Sequence, residues 1–173
     1  GGIQLGAGPP SGTNVIAHLR NNLIRNVGAW HFFCGSNSWT VRDNLFDSTA
    51  VTNNGSYVEN STNAHYSTYF GLTAGVGNIL LGSLSYQTNQ WGKYYQPTGS
   101  SLIDAGSRSA QSAGLYHFTT TTNQSKEATS MVDIGLHYVA LTSGGQPLDE
   151  DADGLPDYYE DSNGNGSADS GET

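Results

Sequence analysis

Short apolar runs separated by polar and turn-forming residues fill most of this chain. Apolar and polar residues alternate in its first third with the period of two that is typical of strands, and the 3.6-residue period of an amphipathic helix is missing. Residues within the stretch 15–26 (VIAHLRNNLIRN) also match residues within the stretch 38–49 (SWTVRDNLFDST) at a constant offset of 22. The matched pairs are Leu19 with Val41, Arg20 with Arg42, Asn22 with Asn44, Leu23 with Leu45, and Ile24 with Phe46. A repeat of this length, built from short strands and turns, predicts a solenoid.

The repeat predicts an all-β fold, a right-handed parallel β-helix in which each repeat forms one rung. Apolar side chains from every rung face a shared interior, and backbone hydrogen bonds join rungs that lie about 4.8 Å apart. Stacking of the rungs places Asn22 over Asn44, so we expect their side-chain amides to form a ladder at a turn.

The remaining chain is less regular. Residues 51–75 are interpreted as an irregular rung with a long excursion, and strand-like sequence returns at 78–88, 101–107, 114–122 and 131–141. The predicted organisation is a Gly/Pro-rich N-terminal segment (1–14), β-helix rungs with irregular loops (15–141), a linker (142–148) and a non-helical tail (149–173).

The charge of the chain is concentrated in that tail. The chain has 15 acidic and 6 basic residues and a net charge of −9, yet nine of the acids follow Leu148. The first 148 residues therefore carry six acids and six bases. Since no basic stripe is present, a nucleic-acid partner is not expected.

The acids of the tail follow a twelve-residue pattern that occurs twice without a gap. The predicted ligand positions 1, 3, 5, 7, 9 and 12 hold Asp149, Asp151, Asp153, Leu155, Asp157 and Glu160 in the first loop, and Asp161, Asn163, Asn165, Ser167, Asp169 and Glu172 in the second. Position 6 is glycine in both loops, Gly154 and Gly166.

This spacing indicates calcium. The ion takes about six to eight oxygen ligands, so alternate side chains must turn inward, with a glycine at the sharp bend, a backbone carbonyl at position 7 and a bidentate acid at position 12. The alternative is a solvated acidic tail. Such a tail has no reason to repeat glycine at position 6 and glutamate at position 12, so we predict two calcium ions, which would reduce the net charge to −5.

Catalytic residues are harder to find. On a parallel β-helix, a polysaccharide lyase needs a calcium ion and a basic residue on one long face. Arg20 and Arg42 are expected to stack outside, with Asp43 or Asp47 offsetting their repulsion, and contact with an anion or acidic sugar is the alternative to a solvated pair. Asp104 and Asp133 lie in the IDAG and DIG turns, where we expect carboxylates to cap backbone N–H groups.

Aromatic residues could form a sugar-stacking platform, although closing the ends or loops of the solenoid is an equal alternative. The candidates are Trp30, Trp39, Trp91, Tyr94 and Tyr95.

The single cysteine and the histidines give no catalytic pattern. Cys34 lies in an apolar run and is interpreted as a small buried residue, so disulfides do not hold this fold together. The five histidines show no metal-binding spacing and are interpreted as strand residues. Low charge, 23 glycines and abundant Ser, Thr and Asn favour a bacterial protein outside the cell, and with no transmembrane run we expect no membrane insertion.

The C-terminal motifs also resemble those of a known group. SLIDAGS, then VDIGLHYVA, then an Asp-rich loop is similar to the closing segment of secreted parallel β-helix proteins of planctomycete and verrucomicrobial bacteria, and the tandem loops resemble thrombospondin type 3 repeats. The resemblance implies a β-helix and an extracellular location, and it fixes no activity.

Together these patterns favour a non-enzymatic extracellular protein of structural or adhesive function, stabilised by calcium. Its expected partners are further copies of itself, stacked end to end in filaments, or a neighbouring matrix protein, because the ends of a β-helix expose strand edges. The alternative is a carbohydrate-active protein that resembles a polysaccharide lyase or binds a glycan.

Overall fold

A computed structural model describes residues 16–33, 38–54, 57–67, 69–72 and 75–172. The predicted N-terminal segment and Cys34 lie outside these ranges. The chain divides into two compact units, Gly1–Leu84 and Ser85–Thr173. Most regular structure is β-strand, arranged in several small sheets, and the described helices are two single turns. The all-β class is therefore confirmed, whereas a closed solenoid is not observed in the described residues.

The described part of the first unit forms nine short strands. They are β1 (Ile16–Arg20), β2 (Leu23–Arg25), β3 (Ala29–Phe33), β4 (Ser38–Arg42), β5 (Leu45–Asp47), β6 (Ala50–Asn54), β7 (Tyr57–Ser61), β8 (Ala64–Tyr66) and β9 (Ile79–Leu81). They pair in parallel in three sheets, with the orders β1-β4-β7, β2-β5-β8-β9 and β3-β6.

The register of these sheets follows the repeat seen in the sequence. Arg20 lies opposite Arg42, and Ile24 lies opposite Phe46, so the predicted offset of 22 residues is confirmed. The next rungs are shorter, because Arg42 pairs with Ser61 and Ala64 pairs with Ile79. Each rung thus spans fewer residues than the one before it.

The predicted asparagine ladder is present and longer than expected. The Nδ2 of Asn22 donates to the Oδ1 of Asn44 at 3.0 Å, and Asn44 donates in the same way to Asn63 at 3.0 Å. Asn63 in turn donates to Asn78 at 3.4 Å, and the backbone N–H of each donor residue bonds the same oxygen. Asn44 and Asn63 are fully buried, so the ladder satisfies polar groups inside the turn that joins successive strands.

The hydrophobic core of the first unit lies between the sheets. Its buried members are Ile24, Trp30, Trp39, Val41, Phe46, Val51 and Leu72. Trp30 and Trp39 are each only 6% exposed, which favours the closing role over the sugar platform for these two residues. Tyr95 of the second unit is buried as well, whereas Trp91 and Tyr94 are exposed.

The second unit uses short elements and turns. Two antiparallel pairs are formed by β10 (Gln87–Asn89) with β11 (Gly92–Tyr95) and by β12 (Phe118–Thr119) with β13 (Tyr138–Val139). The helices are α1 (Ala110–Ala113) and α2 (Asp157–Glu160). The named strands of this unit therefore pair in antiparallel fashion, unlike those of the first unit.

Two local predictions for this unit are wrong. Residues 101–107 form turns rather than a strand, because Asp104 has a φ of +55° and its N–H donates to the Oδ1 of Asp133 at 2.7 Å. The same bond confirms that Asp133 caps a backbone N–H. The tail was predicted to be non-helical, but it contains the helical turn α2, which begins after Pro156. Asp157 and Glu160 lie in this turn, and acidic side chains near the N-terminus of a helix are stabilised by the helix dipole.

Candidate metal centre in the C-terminal loops

The first loop brings three carboxylates together. One carboxylate oxygen from each of Asp149, Asp151 and Asp153 lies within 4.8 Å of the others. The bend is made by Gly154, whose φ of +100° is in the region that favours glycine and whose N–H donates to the Oδ2 of Asp149 at 3.1 Å. The N–H groups of Asp153 and Leu155 donate to Asp151 and Asp153, respectively.

The second loop repeats these hydrogen bonds position by position. Gly166 N–H donates to the Oδ2 of Asp161 at 2.5 Å, Asn165 N–H to Asn163 at 3.0 Å, and Ser167 N–H to Asn165 at 2.7 Å. In both loops, position 6 therefore donates to position 1, position 5 to position 3, and position 7 to position 5. Positions 1 to 7 of the two twelve-residue units therefore fold into the same local structure.

Positions 9 and 12 differ between the loops. Asp157 is buried outside the three-carboxylate cluster, where its Oδ1 accepts from Glu150 N–H at 2.7 Å. In the second loop, Asp169 accepts from the amides of both asparagines, at 2.8 and 2.9 Å. The Oε2 of Glu172 accepts from Asp169 N–H at 2.8 Å and so closes this loop. The side chain at position 9 of the first loop therefore contacts the backbone of Glu150 and does not join the three-carboxylate cluster.

The donor set fits a hard cation. All donors at the predicted positions are oxygens of carboxylates, side-chain amides and backbone carbonyls, which Ca²⁺ prefers, and nitrogen or sulfur ligands are not among them. The Oδ1 of Asp149, beside the cluster, is buried and has no hydrogen-bond partner. An acceptor oxygen left in this way is an unsatisfied group that a bound cation would satisfy.

Basic side chains hold the tail to the rest of the second unit. The Nε2 of His117 lies 2.8 Å from the Oδ2 of Asp161, and its Nδ1 lies 3.8 Å from the Oδ2 of Asp157. Lys126 forms an ion pair with Glu150. Tyr116 N–H donates to the carbonyl of Gly164 at 3.0 Å. The tail therefore contacts its own unit directly, through residues that the sequence analysis did not single out as partners of the loops.

These contacts bear on the charge state of the tail. Burial opposes ionisation of Asp161, but hydrogen bonds from Gly166, His117 and Asn165 outweigh it, so the pKa of its carboxyl is lowered. The hydrogen bond and charge of Lys126 lower the pKa of Glu150. The carboxyl of Asp161, at position 1 of the second loop, is thus held in the ionised form that a cation ligand requires.

A cavity of about 240 Å³ lies beside these residues and is lined by both loops. It is reached by position 12 of both loops, by position 9 of the first loop and by position 7 of the second loop, and His117 also lines it. Its lining includes Asp157, Glu160, Asp161, Ser167 and Glu172.

The two arginines considered as ligand-binding residues lie far from this cavity in the sequence. Arg20 and Arg42 are register neighbours in β1 and β4, as predicted. Arg42 pairs with Glu59, and Asp47 binds Arg25 at 2.6 Å. This pairing favours a charged outer face over an anion site.

Comparisons with protein families, with curated proteins and with solved structures find no match to this chain. Within the described ranges, no helix has both the length and the apolar character needed to span a membrane.

Proposed function

We propose that this chain is a calcium-stabilised module of an extracellular bacterial protein, with a structural or adhesive role. The observation that carries the proposal is the convergence of Asp149, Asp151 and Asp153 in a loop whose hydrogen bonds recur in the next twelve residues. Two calcium ions, one in each loop, would replace the repulsion between neighbouring carboxylates with shared coordination.

The parallel sheets of the first unit support a right-handed parallel β-helix as its architecture. Strands one rung apart pair in parallel in all three sheets, and the asparagine ladder runs along one turn of the stack. Crossover connections between parallel strands are almost always right-handed. The likeness of the closing motifs to secreted β-helix proteins ending in thrombospondin type 3-like repeats agrees with this architecture and with an extracellular location.

Terbium binding tests the metal sites. Tb³⁺ replaces Ca²⁺ in oxygen sites, and Tyr158 and Tyr159 lie within the tail and can sensitise its luminescence. We expect saturable emission that calcium displaces. Asp153→Ala and Asn165→Ala, which each remove the position-5 oxygen of one loop, should each lower the stoichiometry from two ions to one.

The matched control is Glu150→Gln, because it removes one negative charge from the first loop without removing a predicted ligand. It should leave the stoichiometry at two. Emission that falls equally with Asp153→Ala and Glu150→Gln but is unchanged in Asn165→Ala would show attraction to net charge alone, and the calcium proposal would be rejected.

End-to-end assembly is the second part of the proposal. The sheet orders leave one edge of β1, β2 and β3 paired with no described strand, and such edges recruit further strands. The partner is a second copy or a neighbouring matrix protein. Electron micrographs at increasing protein concentration should show polymers in calcium, whereas a monodisperse monomer at high concentration would contradict assembly.

The carbohydrate-active alternative has weaker support. It depends on Arg20 and Arg42 as contacts for an acidic polysaccharide, and the pairing of Arg42 with Glu59 leaves the guanidinium less available. A screen of acidic polysaccharides for unsaturated products by ultraviolet absorbance would revive it if activity disappeared in Arg42→Ala.

A further inference from the structure

The second loop contains two asparagines that are each followed by glycine. They are Asn163, before Gly164, and Asn165, before Gly166. Asparagine loses its side-chain amide most readily before glycine, because glycine has no side chain to keep its backbone nitrogen away from the amide carbon of the preceding residue. The first loop has aspartate at both corresponding positions. Loss of an amide would therefore give the second loop a ligand that the first loop already has.

The side chain of Asn165 is turned back over the peptide bond that follows it. Its Oδ1 accepts from Ser167 N–H, two residues on, at 2.7 Å. Such a turn brings the amide carbon, Cγ, toward the backbone nitrogen of Gly166, which lies between the two bonded groups in the chain. The same hydrogen bond supplies a donor that stabilises the negative charge formed on Oδ1 when a nucleophile adds to Cγ.

The backbone nitrogen of Gly166 has a proton acceptor beside it. Its N–H donates to the Oδ2 of Asp161 at 2.5 Å. A carboxylate can take up this proton while the nitrogen attacks, and a positioned base accelerates such a step by about a hundredfold or more. Gly166 is exposed, so water reaches this peptide bond.

Asn163 provides a comparison inside the same loop, because its surroundings differ at the glycine. Its Oδ1 accepts from Asn165 N–H at 3.0 Å. The Nδ2 atoms of both asparagines donate to the Oδ2 of Asp169, at 2.8 and 2.9 Å. The N–H of Gly164, however, donates to the backbone carbonyl of Asp161 at 3.1 Å, and a peptide carbonyl is too weak a base to take up the proton.

We propose that Asn165 is a self-modification site, at which the second loop converts a side-chain amide to a carboxylate. The nitrogen of Gly166 forms a bond to Cγ of Asn165 while its proton passes to Asp161. The Cγ–Nδ2 bond then breaks, the proton returns to the departing nitrogen, and ammonia leaves behind a cyclic succinimide. One water molecule opens this ring, at Cγ to give aspartate or at the backbone carbonyl to give isoaspartate. No oxidant or reductant is required.

The consequence for calcium rests on the function proposed above. As an amide, Asn165 donates to Asp169, so the two side chains attract each other without an ion. A carboxylate at position 165 has no hydrogen to donate and repels Asp169, and a cation bound between them removes this repulsion. Conversion to aspartate therefore increases the calcium affinity of the second loop as the protein ages.

Peptide mapping by mass spectrometry of the whole chain tests the modification directly. The chain is incubated at neutral pH with a chelator, and the exchange of NH₂ for OH is followed separately at Asn165 and Asn163. Asn165 should be converted about a hundredfold faster, because only Gly166 donates its N–H to a carboxylate. In urea, where no fold positions Asp161, the two rates should become similar.

Asp161→Asn is the variant that removes the base and keeps the size of the side chain. It should reduce the rate at Asn165 to that at Asn163, whose own rate should not change. Equal rates at the two asparagines of the natural chain without urea, or faster conversion of Asn163, would overturn the proposal. That comparison decides even if Asp161→Asn does not fold.

The substitution Asn165→Asp installs the product and tests the consequence for the ion. It should bind Tb³⁺ more tightly at the second loop than the natural chain does, and an unchanged affinity would contradict the expected gain. Terbium binding by neither chain would reject the calcium function, whereas the ratio of the two conversion rates would still decide whether Asn165 modifies itself.

Discussion

Replacement of Asn44 by alanine is expected to lower the free energy of unfolding of the first unit by about 3 kcal/mol. The Oδ1 of Asn44 accepts from the backbone N–H and the amide of Asn22, and its Nδ2 donates to the carbonyls of Leu19 and Arg42. Alanine leaves several of these groups buried without a partner, at about 1 kcal/mol or more for each. Denaturant unfolding followed by the fluorescence of Trp30 and Trp39 measures the change.

Asn22→Ala is the control for this prediction. Asn22 is half-buried at the end of the ladder, so its loss exposes fewer buried groups and should cost about 1 kcal/mol. Equal losses from both substitutions would mean that the ladder adds no stability beyond that of an ordinary turn residue.

Replacement of Glu127 by glutamine is expected to cost about 3 kcal/mol of the stability of the second unit at neutral pH. The substitution keeps the size of the side chain but removes the buried carboxylate that lies 2.9 Å from the Nε2 of His137. Adding His137→Gln should then cost less than the same change in the natural chain, because the carboxylate that His137 contacts is already absent. Thermal and denaturant unfolding of the four chains of this cycle give the coupling between the two residues.

Glu150→Gln provides the comparison with an exposed ion pair. Its partner is Lys126, and solvent surrounds most of the Glu150 side chain, so we expect a loss of less than about 1 kcal/mol. A Glu127→Gln effect as small as this one would show that the 2.9 Å contact with His137 is not an ion pair in solution.

The sequence predicted the ladder correctly because the information is local and repeated. One offset of 22 residues aligned an asparagine, an arginine and several apolar residues at once, and parallel strands preserve such an offset as register. Asn63 and Asn78 were missed because the later offsets shorten, and a search for a constant period cannot detect them.

The strand predicted at 101–107 is absent because the interaction that determines this segment is not local in sequence. Leu102 and Ile103 between small polar residues fit a strand or a turn equally well. The choice is made by Asp133, which lies 29 residues away and accepts the N–H of Asp104. A side chain so distant in sequence leaves no periodic signal.

The ligand pattern of the loops could be predicted from the sequence, but the residues that contact the loops could not. Glycine spacing and alternate acids indicated positions 1 to 7, whose hydrogen bonds recur in both loops. The contact of His117 with Asp161 crosses 44 residues. Charge balance was the available signal, because a tail with nine acids requires nearby cations and few are present in the second unit.

The two loops are related in sequence but are not interchangeable parts. Position 4 is Ala152 in the first loop and Gly164 in the second, and both have positive φ. A methyl group at Gly164 would lie 2.3 Å from the carbonyl oxygen of Gly114, so the second copy cannot accept the alanine of the first. Duplication of a motif can therefore be followed by specialisation of one copy through its neighbours alone. If the sequences of the two loops were exchanged, every predicted ion-binding oxygen would be kept, but the alanine at position 4 would clash with the carbonyl oxygen of Gly114.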